Sequence, residues 1–243
     1  MPEHVLLIVA GALAGGFVLG LTGFGNGLTA YGLWLHVLPP QLGAPLVAIG
    51  SIIGHMQTFR GLRHAIHPRR FWPFIIGGLL GVPIGTWLLG VISTPAFKLF
   101  AGVVLAVYSI ISLAGGLNFT LKRENRILDA IVGFIGGIGG GLASLSGPPL
   151  TIWCGLKGWP KDEQRGTYQP YNFAMLVAAM VSFAIAGLLT ATFWKLALLT
   201  VPPTMAGVWL GRLLYGKVDD AVFRKIVLAL LTLSGITLVW GNL

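Results

Sequence analysis

The stretch GLTGFGNG, residues 20–27, places four glycines, a threonine and an asparagine inside an apolar run. That run carries no Lys, Arg, Asp or Glu from Val5 to Leu38. A second stretch, GGGLASLSGPP at 139–149, interrupts the apolar run 127–158 in the same way. Glycine adopts backbone angles that other residues resist, and both runs exceed the roughly 20 residues of one spanning helix. Each run is therefore two spans, one long tilted span or a re-entrant hairpin.

The composition is typical of an integral membrane protein. Of the 243 residues, 55% are hydrophobic and 9% are charged, whereas a soluble domain is about a quarter charged. The net charge of +9 is better explained by membrane orientation than by nucleic acid, and we expect no nucleic-acid partner. The single cysteine, Cys154, excludes an intrachain disulfide and a cysteine-based metal site. The N-terminal run lacks a basic n-region and continues past signal-peptide length, so we expect it to belong to the mature fold.

Six further segments have the length and apolarity of single spans: 42–60, 71–92, 97–116, 166–188, 191–211 and 221–241. If both interrupted runs return to their own side, all but Lys98 and Lys195 of the 16 Lys and Arg residues lie on one face. If each run crosses once, the basic residues divide evenly. The positive-inside rule favours the first arrangement. We therefore predict a multi-pass plasma (inner) membrane protein with two re-entrant hairpins, cytoplasmic basic loops and both termini outside.

The two halves of the chain repeat. GNGLTAYGL at 25–33 aligns with GPPLTIWCGL at 147–156, and Gly81 and Gly85 align with Gly207 and Gly211. Each repeat has a hairpin and three spans, and because three is odd the second repeat is inverted. Inverted repeats with broken helices are typical of transporters, with the substrate at the repeat interface.

The predicted fold is therefore an all-α polytopic membrane protein with two inverted repeats, each a re-entrant (broken) helical hairpin plus three transmembrane helices. The first inverted repeat covers residues 1–116, a cytoplasmic linker covers 117–126, and the second inverted repeat covers 127–243.

The glycine-rich stretches predict an anion site. Irregular backbone at membrane depth is tolerated where it is buried or lines a cavity. Hairpins entering from opposite faces bring their tips together, and we expect new helices near Asn26 and Pro148, with Ser146 as an N-cap. Two helix N-termini then direct free N–H groups and partial positive charge at one place. For Gly11 and Gly15 we favour the alternative role of close helix packing.

A second polar feature is RGTYQPYN at 165–172, which places a guanidinium and two amides on one helix face. Polarity inside a span is costly unless it faces a cavity. The first half has a corresponding but smaller set of polar residues, Ser51 and His55. Of these, His55 is interpreted as an interfacial histidine. Thr29 and Thr151 lie one turn into the outgoing helices, where either could instead bond its own backbone. The predicted substrate-binding residues are Thr22, Gly25, Asn26, Thr29, Ser51, Ser144, Ser146, Gly147, Thr151, Arg165, Tyr168, Gln169 and Asn172.

The acidic residues favour an anionic cargo. All seven Asp and Glu residues fall outside the predicted spans, which argues against a cation transporter. No spacing typical of a nucleophile, a base or a metal ligand set occurs, so we expect no enzymatic activity, cofactor or metal. Proton coupling, if present, would use a histidine or the titration of the substrate. Tryptophans near segment ends, Trp34 among them, are interpreted as interface anchors in the lipid bilayer.

At these residues the sequence resembles the TauE/SafE sulfite exporter family of membrane transporters. The resemblance is carried by two repeat openings and the segment after each. GLTGFGNGLT at 20–29 is followed by LPPQLGAPL at 38–46, and GGIGGGLASLSGPPLTIW at 136–153 is followed by GWPKDEQRGT at 158–167. The first opening has Asn26 and Gly27 where many members carry glycine or proline. The resemblance implies a secondary transporter of a small sulfur-containing anion, such as sulfite, thiosulfate or an organosulfonate like sulfoacetate. The alternatives are an anion channel and a carrier for a non-sulfur organic anion. The particular anion, the direction, the coupling ion and the oligomeric state stay open.

Overall fold

The computed structural model describes residues 2–59, 66–113 and 125–214, and the regular structure in these ranges is helical. The predicted span 221–241 lies outside the described residues. The helices are α1 (Pro2–Thr22), α2 (Asn26–Trp34), α3 (Pro40–Thr58), α4 (Pro68–Val91), α5 (Thr94–Leu113), α6 (Arg126–Ala143), α7 (Gly147–Leu156), α8 (Lys161–Ile185) and α9 (Ala191–Leu214).

Both glycine-rich stretches interrupt a helix. Residues 23–25, called the first break below, separate α1 from α2, and residues 144–146, the second break, separate α6 from α7. The prediction of new helices near Asn26 and Pro148 is confirmed, because α2 begins at Asn26 and α7 at Gly147.

Left-handed backbone makes both breaks possible. Gly23 and Gly25 have φ of 83° and 93°, values that residues with a Cβ atom rarely adopt. In the second break the left-handed residue is Ser144, with φ of 55°. Its N–H returns to the carbonyl of Gly140 at 2.8 Å, which ends α6 in the manner of a left-handed C-terminal cap.

Each broken helix pair folds back on itself. Trp34, at the end of α2, donates its Nε1–H to the carbonyl of Ile8 near the start of α1, at 2.9 Å. Trp153 of α7 likewise donates to the carboxylate of Asp129 near the start of α6, at 2.7 Å. In each pair, the two helix ends farthest from the break, called the outer ends, therefore lie together. The interpretation of Trp34 as an interface anchor is wrong, because its ring is 1% exposed and lies against Gly11 of α1.

Five helices are long and apolar enough to cross a membrane, by length and composition, within the described part of the chain. They are His4–Thr22 in α1, Pro68–Val91, Thr94–Ile111 in α5, Arg126–Ala143 and Ala191–Leu214. Helices α3 and α8, which match the predicted spans 42–60 and 166–188, are not among these five. Both carry an internal proline and buried polar side chains, which suits helices that line an interior surface.

The packing places each broken pair against a helix from the other half of the chain. Helix α1 packs along α9, and α6 packs along α4. The approach is close, since a Cβ at Gly207 of α9 would overlap the carbonyl of Leu13, and a Cβ at Gly81 of α4 would overlap the carbonyl of Phe134. Helix α3 contacts α8 and both of these packed pairs, while α8 packs on α4 and α6 and reaches the end of α1 through hydrogen bonds. The two breaks therefore meet where α3 and α8 lie side by side.

Candidate functional site

A cavity of about 30 Å³ lies between the two breaks. This is roughly the space of one or two water molecules. Seven of the predicted site residues are among those that line it: Gly25, Asn26, Ser51, Ser144, Ser146, Gly147 and Asn172. The lining also includes His55 and the apolar side chains of Leu19, Phe24, Leu28, Leu145, Pro148 and Leu176.

The side chain of Asn26 fixes the start of α2. Its Nδ2 donates to Ser51 Oγ at 2.8 Å and to the carbonyl of Val47 at 3.3 Å. A carbonyl only accepts, so the contact with Val47 sets the orientation of the amide. Its Oδ1 then lies against α1, where a Cβ at Gly15 would overlap it. The side chain of Asn26 thus contacts both α1 and α3 and holds the start of α2 between them.

The backbone of the first turn of α2 forms one wall of the cavity. Residues 25–28 all line it. The first N–H groups of a helix have no intrahelical carbonyl to bind, and the first helical bond across this turn is that from Thr29 N–H to the Gly25 carbonyl, 3.0 Å. The N–H groups of Asn26, Gly27 and Leu28 are therefore the donors that α2 can offer to a ligand.

The second break presents fewer backbone donors. Ser146 occupies the N-cap position of α7, but its side chain makes no capping bond, so the predicted capping role is wrong. Its backbone is helical, with φ of −75° and ψ of −23°, whereas capping residues are typically extended. Its hydroxyl instead donates to Asn172 Oδ1 at 3.0 Å. Pro148 and Pro149 have no N–H, so Gly147 carries the one amide among the first three residues of α7.

The first half of the chain holds the second break in place. Ser144 donates its hydroxyl to the carbonyl of Ala44 in α3, at 2.8 Å. Tyr31 of α2 donates to the carbonyl of Ala143, the last residue of α6, at 2.7 Å. All of these residues are buried, so the bonds form away from solvent and fix the position of the break.

The second half holds the first break in return. On α8, Tyr168 donates to the carbonyl of Thr22 at 2.7 Å. Arg165 and Gln169 make longer contacts, 3.4 Å to the carbonyl of Gly20 and 3.5 Å to that of Gly23. These three side chains are buried and lie outside the cavity lining. The structure therefore brings this part of the polar stripe to the backbone of the first break, and Asn172 alone to the cavity.

Three threonines of the predicted site also lie outside the lining. Thr151 donates to the carbonyl of Gly147 at 2.8 Å, which is the backbone bond considered as its alternative. Thr22 Oγ1 lies 2.9 Å from the carbonyl of Val18 and 2.7 Å from that of Phe24, so it stabilises the local turn. Thr29 Oγ1 is buried without a hydrogen-bond partner in the described part of the chain.

His55 and Phe24 are lining residues that the sequence prediction missed. The interpretation of His55 as an interfacial histidine is wrong, since it is 1% exposed and lines the cavity. The available signal was its spacing of four from Ser51, which puts both on one helix face. Phe24 lies in the first break, with its ring edge-on to Tyr108 and Tyr168 at 5.5 and 5.6 Å. A lone phenylalanine among glycines gave no comparable signal.

The cavity wall carries no formal charge among the described lining residues, apart from what His55 can acquire. Arg165 is buried on α8 behind the first break. The buried ion pair of Asp129 and Lys157, 2.7 Å apart, lies instead where the outer ends of α6 and α7 meet. Within the described ranges, no group of His, Cys, Asp and Glu residues is arranged to hold a metal ion.

These features define a class: multi-pass helical membrane proteins with broken helices around a small internal cavity, an architecture typical of transporters. The chain matches the family "Sulfite exporter TauE/SafE" over residues 7–238, and it belongs to that family. The resemblance seen in the sequence is thereby confirmed. Members of this family are membrane transporters rather than enzymes. No curated protein and no solved structure gives a match to the chain.

Proposed function

We propose that the protein is a secondary transporter that moves a small sulfur-containing anion across the plasma membrane. The observation that carries the proposal is the cavity between the starts of α2 and α7, lined by polar groups and by no carboxylate in the described residues. Family membership supplies the substrate class: sulfite, thiosulfate or an organosulfonate such as sulfoacetate.

The donors available to an anion can be named. Backbone N–H groups come from residues 26–28 and from Gly147. Ser51 Oγ accepts from Asn26, so its own proton is available to donate. The amide nitrogen of Asn172 lies beside Gly147, where a Cβ would stand 3.2 Å from it. Hydroxyl and amide donors thus surround the helix starts.

Several donors are needed because helix ends alone are too weak. One helix N-terminus stabilises a nearby anion by about 0.3–1 kcal/mol, and by about 2 kcal/mol at most. Removing an ion from water costs several kcal/mol. The buried charge of Arg165, bonded to the carbonyl of Gly20 just ahead of the first break, adds an attraction that salt screens little. The expected affinity is modest, which suits a carrier that must release its cargo.

We further infer that the two halves are inverted repeats that move relative to each other. The support is the reciprocal packing, in which α1 lies on α9 and α6 on α4, with Gly207 and Gly81 at equivalent close approaches. Separation of the two breaks would widen the cavity between them and let the substrate enter. Such a rocking of repeats about a central site gives alternating access.

The proposed orientation has cytoplasmic basic loops and both termini outside. The folding back of α2 on α1 and of α7 on α6 supports it, since this is the geometry that gathers the basic residues on one face. In this arrangement the first hairpin enters from outside and the second from the cytoplasm.

Flux measurements in proteoliposomes test the proposal. We expect saturable uptake of sulfite or thiosulfate that is accelerated by the same anion on the opposite side. Non-saturating flux without counterflow would support an anion channel instead. Preferred uptake of a carboxylate over every sulfur anion would support a carrier for non-sulfur organic anions. When variants of the site are compared in this assay, Gly155→Ala is a suitable control, because a Cβ there meets nothing within 4 Å.

A further inference from the structure

The cavity wall contains one side chain with an ionisable imidazole ring. Among the described lining residues this is His55 of α3. The residue is buried, and its Nδ1 has no hydrogen-bond partner within the described ranges. A buried polar atom without a partner is costly, so such an atom on a residue that lines a cavity is one that a ligand could satisfy. His55 lies one helical turn from Ser51, the acceptor of the Asn26 amide.

The surroundings of His55 are apolar apart from one cation. Its ring stacks on Phe59, with centroids 6.2 Å apart. At the neighbouring Gly54, α1 and α9 present Leu19 and Val208. The charged group that interacts with the imidazole, among the described residues, is Arg165 of α8. The second break faces the cavity with serines and apolar side chains. No described carboxylate lines the cavity, so nothing in its wall can balance a protonated imidazole.

We propose that His55 contacts the bound anion through its unpartnered ring nitrogen and takes up one proton when the anion binds. This inference rests on the proposed function, because the anion between the breaks supplies the missing counter-charge. The proton comes from solvent, resides on the imidazole while the anion is bound, and returns to solvent when the anion leaves. A monoanion would then cross together with one proton with no net charge moved, and a dianion such as thiosulfate would move one net negative charge.

The sign of the pH effect follows from this linkage. Since the protonated site binds the anion more tightly, affinity rises as pH falls. The limit is tenfold per pH unit, reached where the imidazole is neutral in the free protein and charged in the complex. Sulfite itself changes protonation near neutral pH, so thiosulfate is the appropriate probe, because it stays a dianion there.

The experiment is calorimetric titration of thiosulfate into the purified full-length protein across about pH 5.5 to 7.5, the range in which histidine titrates. Each titration is repeated in two buffers of different ionisation enthalpy, so that proton uptake is measured directly. The variants are His55→Gln and His55→Asn, of which the second keeps an amide group at the position of Nδ1. His36→Gln is the matched control, because His36 is exposed at the end of the first hairpin.

We expect the parent and His36→Gln to bind several-fold to tenfold more tightly per unit of pH decrease, with uptake approaching one proton. Both His55 variants should bind with an affinity independent of pH and without proton uptake. An equal pH slope in the parent and in either folded His55 variant would overturn the inference, as would a parent without any slope. Failure of thiosulfate, sulfite and sulfonates alike to bind the parent would instead overturn the proposed function, and this inference with it.

Discussion

The hydroxyl of Ser146 donates to Oδ1 of Asn172 across 3.0 Å, and this bond joins the second break to α8. The same helix bonds to the first break through Tyr168. On the other side, α3 bonds through Ser51 to Asn26, which directly follows the first break, and through Ala44 to Ser144 in the second break. The cavity is therefore held by two helices that each contact both breaks, and movement of either helix relative to the other would change its shape.

Two tyrosines on α8 allow the support of the first break to be distinguished from a general effect on stability. Tyr168 and Tyr171 are both buried, and each donates at 2.7 Å to a carbonyl, that of Thr22 for Tyr168 and that of Gly133 for Tyr171. Replacing either by Phe should lower stability by about 0.5–1.5 kcal/mol. Only Tyr168→Phe should also weaken anion binding, by several-fold, because of the two tyrosines Tyr168 is the one bonded beside the first break. Thermal unfolding and calorimetry on both variants provide the comparison, and equal binding losses would contradict it.

Two arginines test whether charge acts locally. Arg165 is buried behind the first break, while Arg126 is exposed at the start of α6. Arg165→Ala should reduce anion affinity more than Arg126→Ala, with a loss that persists at high salt. A long-range effect would be screened beyond about 10 Å at 0.1 M salt. Titrations at low and high ionic strength make the measurement, and equal, salt-sensitive losses in the two variants would count against a role specific to Arg165.

Two ion pairs of different burial should differ in their effect on stability. Lys157 pairs with Asp129 in a buried setting, while Arg70 pairs with Glu163 where both side chains are 35% exposed. Lys157→Met should lower the free energy of unfolding by about 3–5 kcal/mol, because it leaves a buried carboxylate unpaired. Arg70→Ala should cost at most about 1 kcal/mol. Detergent-solubilised variants can be ranked by thermal or chemical unfolding, and a larger effect at Arg70 would reverse the expected order.

Cysteine labelling tests the proposed topology. Single cysteines at Val5 and His36, both exposed at the outer ends of the first hairpin, should react with an impermeant reagent applied from outside. Cysteines at Arg69 and Asp162, also exposed, should react only from the cytoplasmic side. The native Cys154 is buried and should remain unlabelled. Labelling of positions 5 and 36 from opposite faces would exclude the re-entrant arrangement.

Sequence patterns predicted the helix breaks well because the physics there is local. Runs of glycine and proline end helices wherever the chain lies, so α2 and α7 begin close to the predicted positions. The polar stripe of α8 was also visible, since helical spacing alone puts its members on one face.

The sequence could not predict which neighbouring element each helix face packs against. The folding back of α2 buries Trp34 against α1, although its place near a segment end is typical of an interface residue. His55 was misjudged for the same reason, because its burial depends on the helices that pack against α3. The stripe of α8 was expected to face the ligand, but Tyr168 and Gln169 contact backbone carbonyls instead. Tertiary contacts decide these cases, and periodicity does not encode them.

The central claim, that an anion is held between the two breaks, is tested most directly at Gly25 and Gly147. Gly25 has φ of 93°, which a β-branched residue tolerates poorly. A Cβ at Gly147 would stand 3.2 Å from the amide nitrogen of Asn172 and 3.4 Å from Phe24, so the methyl groups of a valine would occupy the cavity. Gly155 on α7 is the matched control, because its Cβ position is open.

The measurement is calorimetric titration of thiosulfate and sulfite into folded, monodisperse samples of Gly25→Val, Gly147→Val and Gly155→Val. Overpacking of about 1–3 kcal/mol corresponds to a loss of affinity of roughly fivefold to more than a hundredfold. We expect losses at the upper end of that range for Gly25→Val and Gly147→Val, and parental affinity for Gly155→Val. If the first two variants bind these anions as tightly as the parent, the anion is held elsewhere and the breaks serve only helix packing.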